Sequence, residues 1–205
     1  MTTAGQRMAA AFDGLAEGYD DAHHDGIARA LVRWLTPGAG EAVADVACGT
    51  GAVALAVVAA GGGAVPVLAV DLSAGMVAAG RARADRAGAG GAVDWRVGPA
   101  VPLPVADGAL DVVLCASSLH FLGAAALDDW VRAVRPGGRV GFTLPVASRF
   151  RPGGVFAGLV AGDLVMPETA EDGCRLAAAA GFADPAARLL SAGDRAVVMV
   201  RARVP

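Results

Sequence analysis

The sequence contains no lysine: the 17 basic residues among its 205 residues are all arginines, and 20 acidic residues outnumber them. The formal net charge is −3. A protein that binds nucleic acid needs a basic stripe or face to neutralise the backbone phosphates. The composition offers no such footprint, so we predict that the chain has no nucleic-acid partner.

Cysteines and aromatic residues are also scarce. The three cysteines, Cys48, Cys115 and Cys174, are odd in number, lie far apart and match no metal-ligand spacing. We therefore expect reduced thiols in a cytoplasmic protein and no metal site. Aromatic residues make up 5% of a chain that is 55% hydrophobic. Small apolar side chains must therefore fill the interior, which favours a layered α/β protein.

No segment predicts a membrane span or a signal peptide. Residues 52–70 are uncharged, but three glycines at 61–63 and Pro66 interrupt them, so they are better interpreted as a buried helix, a turn and a buried strand. Near the N-terminus, charged residues precede any long apolar run. We expect a cytoplasmic protein without a membrane partner.

From residue 39 onward, short valine-rich runs alternate with alanine-rich helical segments, a pattern typical of a parallel sheet buried on both faces. The runs predict strands at 43–47, 65–70, 93–97, 110–116, 139–144, 186–190 and 196–204. The predicted fold class is α/β, a Rossmann-like, mostly parallel sheet of seven strands with helices on both faces. Residues 39–205 would form this domain, preceded by a helical segment at 1–38.

Helix boundaries are marked by residues that favour helix ends. In the N-terminal segment, one amphipathic helix is predicted around Phe12, Leu15, Ala16 and Tyr19, and a second around Ile27, Leu31, Val32 and Leu35. Ser73 can begin a helix that Gly88 ends. Further helices are predicted at 125–134, before a turn at 135–138, and at 168–180.

The most informative segment is VADVACGTG at 43–51, in which a strand runs through a glycine turn into a helix. Gly49 and Gly51 allow the backbone to approach a ligand, and the N–H groups at the helix start attract an anion. Asp71 ends the next predicted strand, where a carboxylate can accept hydrogen bonds from both ribose hydroxyls. The loop and the acid together predict a site for a nucleoside-containing cofactor.

An NAD-dependent oxidoreductase is the weaker alternative for this site. Gly49, Gly51 and Ala54 also satisfy the dinucleotide-binding pattern. However, Asp45 lies close to where a pyrophosphate would bind, which is unfavourable for NAD and acceptable beside a cationic ligand. A chain without lysine also cannot contain a Tyr-x-x-x-Lys pair.

Several segments, taken in order, resemble the class I S-adenosylmethionine (SAM) dependent methyltransferases, particularly the small-molecule type that includes the ubiquinone/menaquinone methylases. The resemblance spans nearly the whole chain. Its motifs are DVACGTG at 45–51, with Ala47 where glycine is more usual, VDLSAGM at 70–76, LPVADGALDVV at 103–113, SLHF at 118–121 and RPGG at 135–138.

The resemblance implies SAM as cofactor and a SAM-dependent methyltransferase acting on a small molecule. It implies that Asp71 holds the ribose, that Leu72 and Met76 flank the adenine, and that residues 1–38 act as a lid over the cofactor. The implied cofactor-binding residues are Tyr19, Asp45, Ala47, Cys48, Gly49, Gly51, Asp71, Leu72, Met76, Pro99, Ala100 and Ala116.

One position departs from the family's pattern. Similar enzymes place an acid after the glycine that is Gly98 here, where it binds the amino group of adenine; this chain has Pro99. Proline has no side-chain acceptor and no backbone N–H. Adenine recognition would then depend on the backbone of Ala100 and on packing by Leu72. The departure keeps open a non-methylating alternative: a cyclase, an isomerase or a binding protein.

Methyl transfer is an in-line displacement that depends mainly on positioning in a dry pocket. His120, just beyond the fourth strand, is the candidate catalytic base for a hydroxyl acceptor; the alternative is that it only lines the pocket. His23 and His24 lie among aspartates, but adjacent side chains rarely converge on one ion, so we interpret them as part of a solvated lid.

The predicted acceptor is a small apolar molecule. Residues 118–121 lack the Asn/Asp-Pro-Pro-aromatic motif that similar enzymes use on planar amino groups of nucleobases or glutamine. The connection at 145–167 is short and rich in glycine and apolar residues. We hypothesise a compact lid there, with Phe150 and Phe156 over the pocket. The sequence leaves monomer and homodimer open.

Overall fold

The fold is a seven-stranded sheet with helices on both faces. The computed structural model describes residues 3–16, 18–19, 22–61, 66–192 and 195–205. The sheet order is β3-β2-β1-β4-β5-β7-β6, and β7 runs antiparallel to both β5 and β6. The strands are β1 (Val43–Val46), β2 (Val67–Asp71), β3 (Val93–Val97), β4 (Leu110–Cys115), β5 (Val134–Pro145), β6 (Ala183–Ala192) and β7 (Arg195–Arg203). This confirms the predicted fold class.

β1 and β4 pair in parallel, and the strand order reverses between them. β2 lies on the other side of β1, and β5 lies on the other side of β4. In open α/β sheets, a crevice forms at the carboxyl ends of the strands where the order reverses. The chain leaves β1 at Ala47 and β4 at Ala116, so the glycine loop and the segment after β4 border one crevice. The topology therefore places the candidate site at this edge of the sheet.

Helices cover both faces of the sheet. They are α1 (Thr3–Asp13), α2 (Ala22–Leu35), α3 (Ala52–Ala59), α4 (Ala74–Arg86), α5 (Leu119–Leu122), α6 (Ala125–Ala133) and α7 (Ala170–Ala179). Helix α2 buries Leu31, Val32 and Leu35 in the same apolar cluster as α3, β1 and β2. Helix α2 thus contributes to the core of the domain, whereas α1 lies over the crevice. The boundary at residue 38 stays a prediction.

The predicted ends of α4 are confirmed. The Ser73 hydroxyl accepts a hydrogen bond from the Met76 N–H at 3.0 Å, as an N-cap residue does. At the other end, Gly88 has φ of 70°, and the Ala89 N–H reaches the carbonyl of Ala84 at 2.8 Å. This 6→1 bond is the Schellman arrangement that ends a helix at glycine.

Two boundaries differ from the prediction. Helix α1 ends at Asp13, so Leu15 and Tyr19 lie beyond it. The predicted turn at 135–138 is an irregular stretch within β5, because the register with β4 shifts between Leu110 and Val112. Gly138 allows this close approach, since a Cβ there would lie 2.8 Å from the Asp111 carbonyl oxygen. The predicted start of β2 at residue 65 lies outside the described residues.

Gly80→Ala is expected to destabilise the fold. A Cβ at Gly80 would lie 2.5 Å from the Trp95 ring, which packs between α4 and the start of α3. Overpacking of this kind costs roughly 1–3 kcal/mol, and the gain in helix propensity, about 1 kcal/mol at most, offsets only part of it. Urea unfolding measures the change. Gly91→Ala, where a Cβ would have nothing within 4 Å, is the control; equal stability of the two variants would contradict this account.

Candidate functional site

Two adjoining cavities open at the carboxyl edge of the sheet. The first, about 100 Å³, is bordered by the glycine loop, the end of β2 and helix α1. The second, about 480 Å³, is bordered by helix α5 and by the connection after β5. Five residues line both cavities: Phe12, Tyr19, His24, Ser117 and Phe121. A ligand in one cavity would therefore meet a ligand in the other at these residues.

Asp71 is the polar centre of the first cavity. One carboxylate oxygen accepts a hydrogen bond from the Gly49 N–H at 2.8 Å, and the other accepts one from the Ser73 N–H at 2.9 Å. The residue is only 9% exposed, and this burial raises the pKa of the carboxyl group above its ordinary value. Each oxygen retains a lone pair, because a carboxylate offers about four acceptor sites. Asp71 can therefore bind a ligand while it holds the glycine loop.

Asp45 lies deeper in the same cavity. One oxygen accepts a hydrogen bond from the Ala54 N–H at 2.9 Å, in the first turn of α3. Burial, with a further contribution from the charge of Asp71, raises the pKa of Asp45 to about 8. Near pH 7 the Asp45 carboxyl is therefore mostly protonated in the absence of a ligand, and a cationic ligand would favour its ionised form.

The glycine loop has a left-handed backbone at three positions. Gly49 has φ of 52° and Gly51 has φ of 79°, conformations that glycine adopts without steric cost. Ala47 also has φ of 52°, a conformation that is strained for alanine. Gly51 does not line the cavity; a Cβ there would lie 2.3 Å from the Trp95 ring, so its role in this structure is packing.

The structure brings most of the predicted cofactor residues together. Ten of them line the first cavity: Tyr19, Asp45, Ala47, Cys48, Gly49, Asp71, Leu72, Met76, Ala100 and Ala116. Pro99 is exposed and does not line it, whereas the next residue, Ala100, is buried against it. Their roles in binding remain predictions.

His120 lines the second cavity and not the first. Its side chain is only 6% exposed, and its Nδ1 atom has no hydrogen-bond partner among the described residues. Burial lowers the pKa of the imidazole to about 4, so the ring is neutral near pH 7. The ring therefore forms a neutral part of the wall of the second cavity, with its Nδ1 atom buried.

Asp13 joins the end of helix α1 to the start of helix α4. The sequence did not predict this contact, which we call the latch. The Asp13 carboxylate accepts hydrogen bonds from the Ser73 hydroxyl at 2.5 Å and from the Gly75 N–H at 2.8 Å, at the start of α4. These bonds lower the pKa of Asp13. Since Ser73 also donates to Asp71, the latch connects helix α1 to the polar centre of the first cavity.

Asp13→Ala is expected to speed dissociation of S-adenosylhomocysteine about two- to fivefold, because an acid at a helix start contributes about 0.3–1 kcal/mol. Stopped-flow displacement measures the dissociation rate. Asp128→Ala removes an exposed acid from the first turn of α6 and is the matched control. An unchanged rate in the Asp13 variant would show that the latch does not retain the ligand.

Other features of the described residues bear on the class of protein. No helix among them is long and apolar enough to cross a membrane. All three cysteines are free thiols. Within the same part of the chain, no group of three or more His, Cys, Asp or Glu side chains is arranged to hold a metal ion.

Comparison with known proteins agrees with this geometry. Residues 43–138 match the family described as a methyltransferase domain. The ubiquinone/menaquinone biosynthesis C-methyltransferase UbiE of Roseobacter denitrificans is 36% identical over 143 residues, 65% of this chain and 57% of that protein. The enzyme of the same name from Rubrivivax gelatinosus is 38% identical over 143 residues, 65% of this chain and 54% of that protein. The chain thus spans just over half the length of these relatives.

Solved structures share the fold. A SAM-dependent methyltransferase from Aquifex aeolicus superposes with a TM-score of 0.68 at 16% identity, covering 94% of this chain and 98% of that one. The [4+2]-cyclase SpnF gives a TM-score of 0.68 at 23% identity, covering 88% and 81%. At these identities the likeness concerns the fold alone.

The sheet order and the loop-and-acid site define an α/β protein of the class I methyltransferase fold. Residues 43–138 match a methyltransferase domain, and solved SAM-dependent methyltransferases share the fold of the chain.

Proposed function

We propose that the chain transfers a methyl group from SAM to a small apolar molecule. The observation that carries the proposal is the position of Asp71, a buried carboxylate 2.8 Å from the Gly49 N–H at the crevice where the strand order reverses. From there it can accept hydrogen bonds from both hydroxyls of a ribose.

The residues of the first cavity suit this cofactor. Arg83 is the one arginine among the described lining residues, and Asp25 pairs with it at 2.7 Å. The Asp71 carboxylate, and that of Asp45 once it ionises, can therefore interact with a cationic ligand. This favours the ammonium and sulfonium groups of SAM over the pyrophosphate of NAD. Met76 and Leu72 supply apolar surface for an adenine.

When bound, SAM supplies an electrophilic methyl carbon, and the protein's task is then positioning. The residues that line both cavities would hold the acceptor about 3–3.5 Å from that carbon and in line with the bond that breaks. Phe12 and Phe121, with ring centroids 5.6 Å apart, give this junction apolar walls. For a hydroxyl acceptor, His120 is the candidate base, and its low pKa favours a role in orienting the hydroxyl over full proton abstraction.

We further propose that helix α1 acts as the lid predicted for residues 1–38. The support is that Met8, Ala9 and Phe12 of α1 line the first cavity, and that Asp13 connects the end of α1 to Ser73 and Gly75. The free thiols support a cytoplasmic protein, and the net charge of −3 supports the absence of a nucleic-acid partner.

Calorimetric titration with SAM, S-adenosylhomocysteine and NAD tests the cofactor. SAM and S-adenosylhomocysteine are both expected to bind, and NAD is expected not to bind. Binding of NAD without binding of the two SAM-type ligands would overturn the proposal. Incubation with trideuteromethyl SAM and a panel of small aromatic hydroxyl compounds and quinols tests the reaction. A product that carries the labelled methyl group supports methylation. A cofactor-dependent product without the label would favour the non-methylating alternative that Pro99 keeps open.

A further inference from the structure

The second cavity differs in charge from the first. Three arginines line it, Arg149, Arg151 and Arg195, and none of its described lining residues is acidic. The described lining of the first cavity, in contrast, holds three aspartates and one arginine. Asp25 pairs with that arginine, Arg83, and burial raises the pKa of Asp45 to about 8, so Asp71 is the acidic group left to face a ligand near pH 7. Two adjoining cavities of opposite charge indicate two ligands of opposite charge.

Two of these arginines come from one short segment after β5. The exposed Arg149 guanidinium has no hydrogen-bond or ion-pair partner among the described residues. Arg151 donates to the Phe150 carbonyl at 2.8 Å, which leaves several of its N–H groups for a ligand. A guanidinium is planar and matches the geometry of a carboxylate or phosphate. The segment therefore presents donors suited to an oxyanion at the mouth of the cavity.

The rest of the second cavity is aromatic. Phe150 lies with its ring centroid 5.0 Å from that of His120, and Phe156 lies 5.4 Å from Phe12. Together with Phe121 these rings line a volume of about 480 Å³. A cavity of this size and composition is typical of sites for drug-sized molecules with an apolar, flat body.

The buried end of the cavity holds one polar group without a partner, the Nδ1 atom of His120. This atom has almost no accessible surface, so through it the imidazole contributes a neutral wall to the cavity and not a hydrogen bond to a ligand in this structure. The cavity thus has an apolar middle, a neutral polar group inside and cationic groups at the mouth.

We propose that the acceptor is a small, ring-containing apolar molecule that carries a carboxylate or phosphate, bound by Arg149 and Arg151 with its ring between Phe150 and Phe156. The statement that the bound molecule is the methyl acceptor rests on the proposed function. Its binding chemistry can be tested separately.

The test compares 2-naphthoate, 2-naphthyl phosphate and the neutral methyl 2-naphthoate by calorimetry, with and without saturating S-adenosylhomocysteine. Both anions are expected to bind about tenfold more tightly than the ester, because hydrogen bonds between a guanidinium and an anion are stronger than those to a neutral ester. The anion that binds more tightly, 2-naphthoate or 2-naphthyl phosphate, shows whether the site prefers a carboxylate or a phosphate. High salt should reduce the preference, since the arginines are exposed.

The variant R149Q/R151Q should lose the preference for the anions and keep the affinity of the parent chain for the ester and for S-adenosylhomocysteine. R86Q, an exposed arginine of α4 that lines neither cavity, is the matched control. F156A should weaken all three ligands equally. Equal binding of acid and ester, or an anion preference that survives in R149Q/R151Q, would overturn the inference. Failure of S-adenosylhomocysteine to bind while the anion preference holds would instead refute the proposed function.

Discussion

Asp71→Asn is expected to weaken the binding of S-adenosylhomocysteine about 100-fold or more. The substitution keeps the size of the side chain and removes its charge. Each hydrogen bond from a ribose hydroxyl to a carboxylate contributes about 1.5–3 kcal/mol, and the proposed geometry has two of them. Isothermal calorimetry with S-adenosylhomocysteine measures the affinity directly and needs no acceptor.

The same carboxylate also holds the loop, so binding and folding must be separated in this experiment. Asp71 accepts the N–H groups of Gly49 and Ser73, and an amide nitrogen in place of one oxygen would face a donor. The melting temperature without ligand measures that cost. Asp94→Asn, on β3 and paired with the exposed Arg96, is the matched control. A folded Asp71 variant that binds as tightly as the parent chain would remove the basis of the proposed function.

The parts of the site that the sequence predicts are those formed by residues close together along the chain. Valine-rich runs, the glycine turn and the acid after the next strand define β1, the loop and Asp71, because in a parallel sheet successive strands place their carboxyl ends at one edge. The same local logic predicts Ser73 as the start of α4. These features need no knowledge of how distant segments pack.

Long-range packing decides what the sequence could not predict. The latch joins Asp13 to Ser73, 60 residues apart, and no local pattern indicates that pair. The requirement for glycine at positions 51 and 80 comes from Trp95, which fills the space beneath both. Arg149 and Arg151 look like ordinary surface arginines in the sequence, and only the fold brings them to the mouth of a cavity with His120.

Asp45→Asn is expected to change how stability depends on pH. In the folded chain, burial raises the pKa of Asp45 from 3.8 to about 8. Between these two pH values the folded state therefore holds a proton that the unfolded state has released. The stabilisation from this group is complete below the unfolded pKa and is lost as the pH rises towards about 8. The limiting slope is about 1.4 kcal/mol per pH unit for one proton.

Asparagine is neutral at every pH and can still accept the Ala54 N–H, so the variant should lack this slope. Urea unfolding of both chains from pH 5 to pH 8 measures it, and the difference between them cancels the opposite effect of His120, whose folded pKa is lowered to about 4. The parent should lose stability relative to the variant across this range. Parallel curves would mean that Asp45 is already ionised in the fold. A proton released when SAM binds, which the variant does not release, would connect this titration to the cationic ligand.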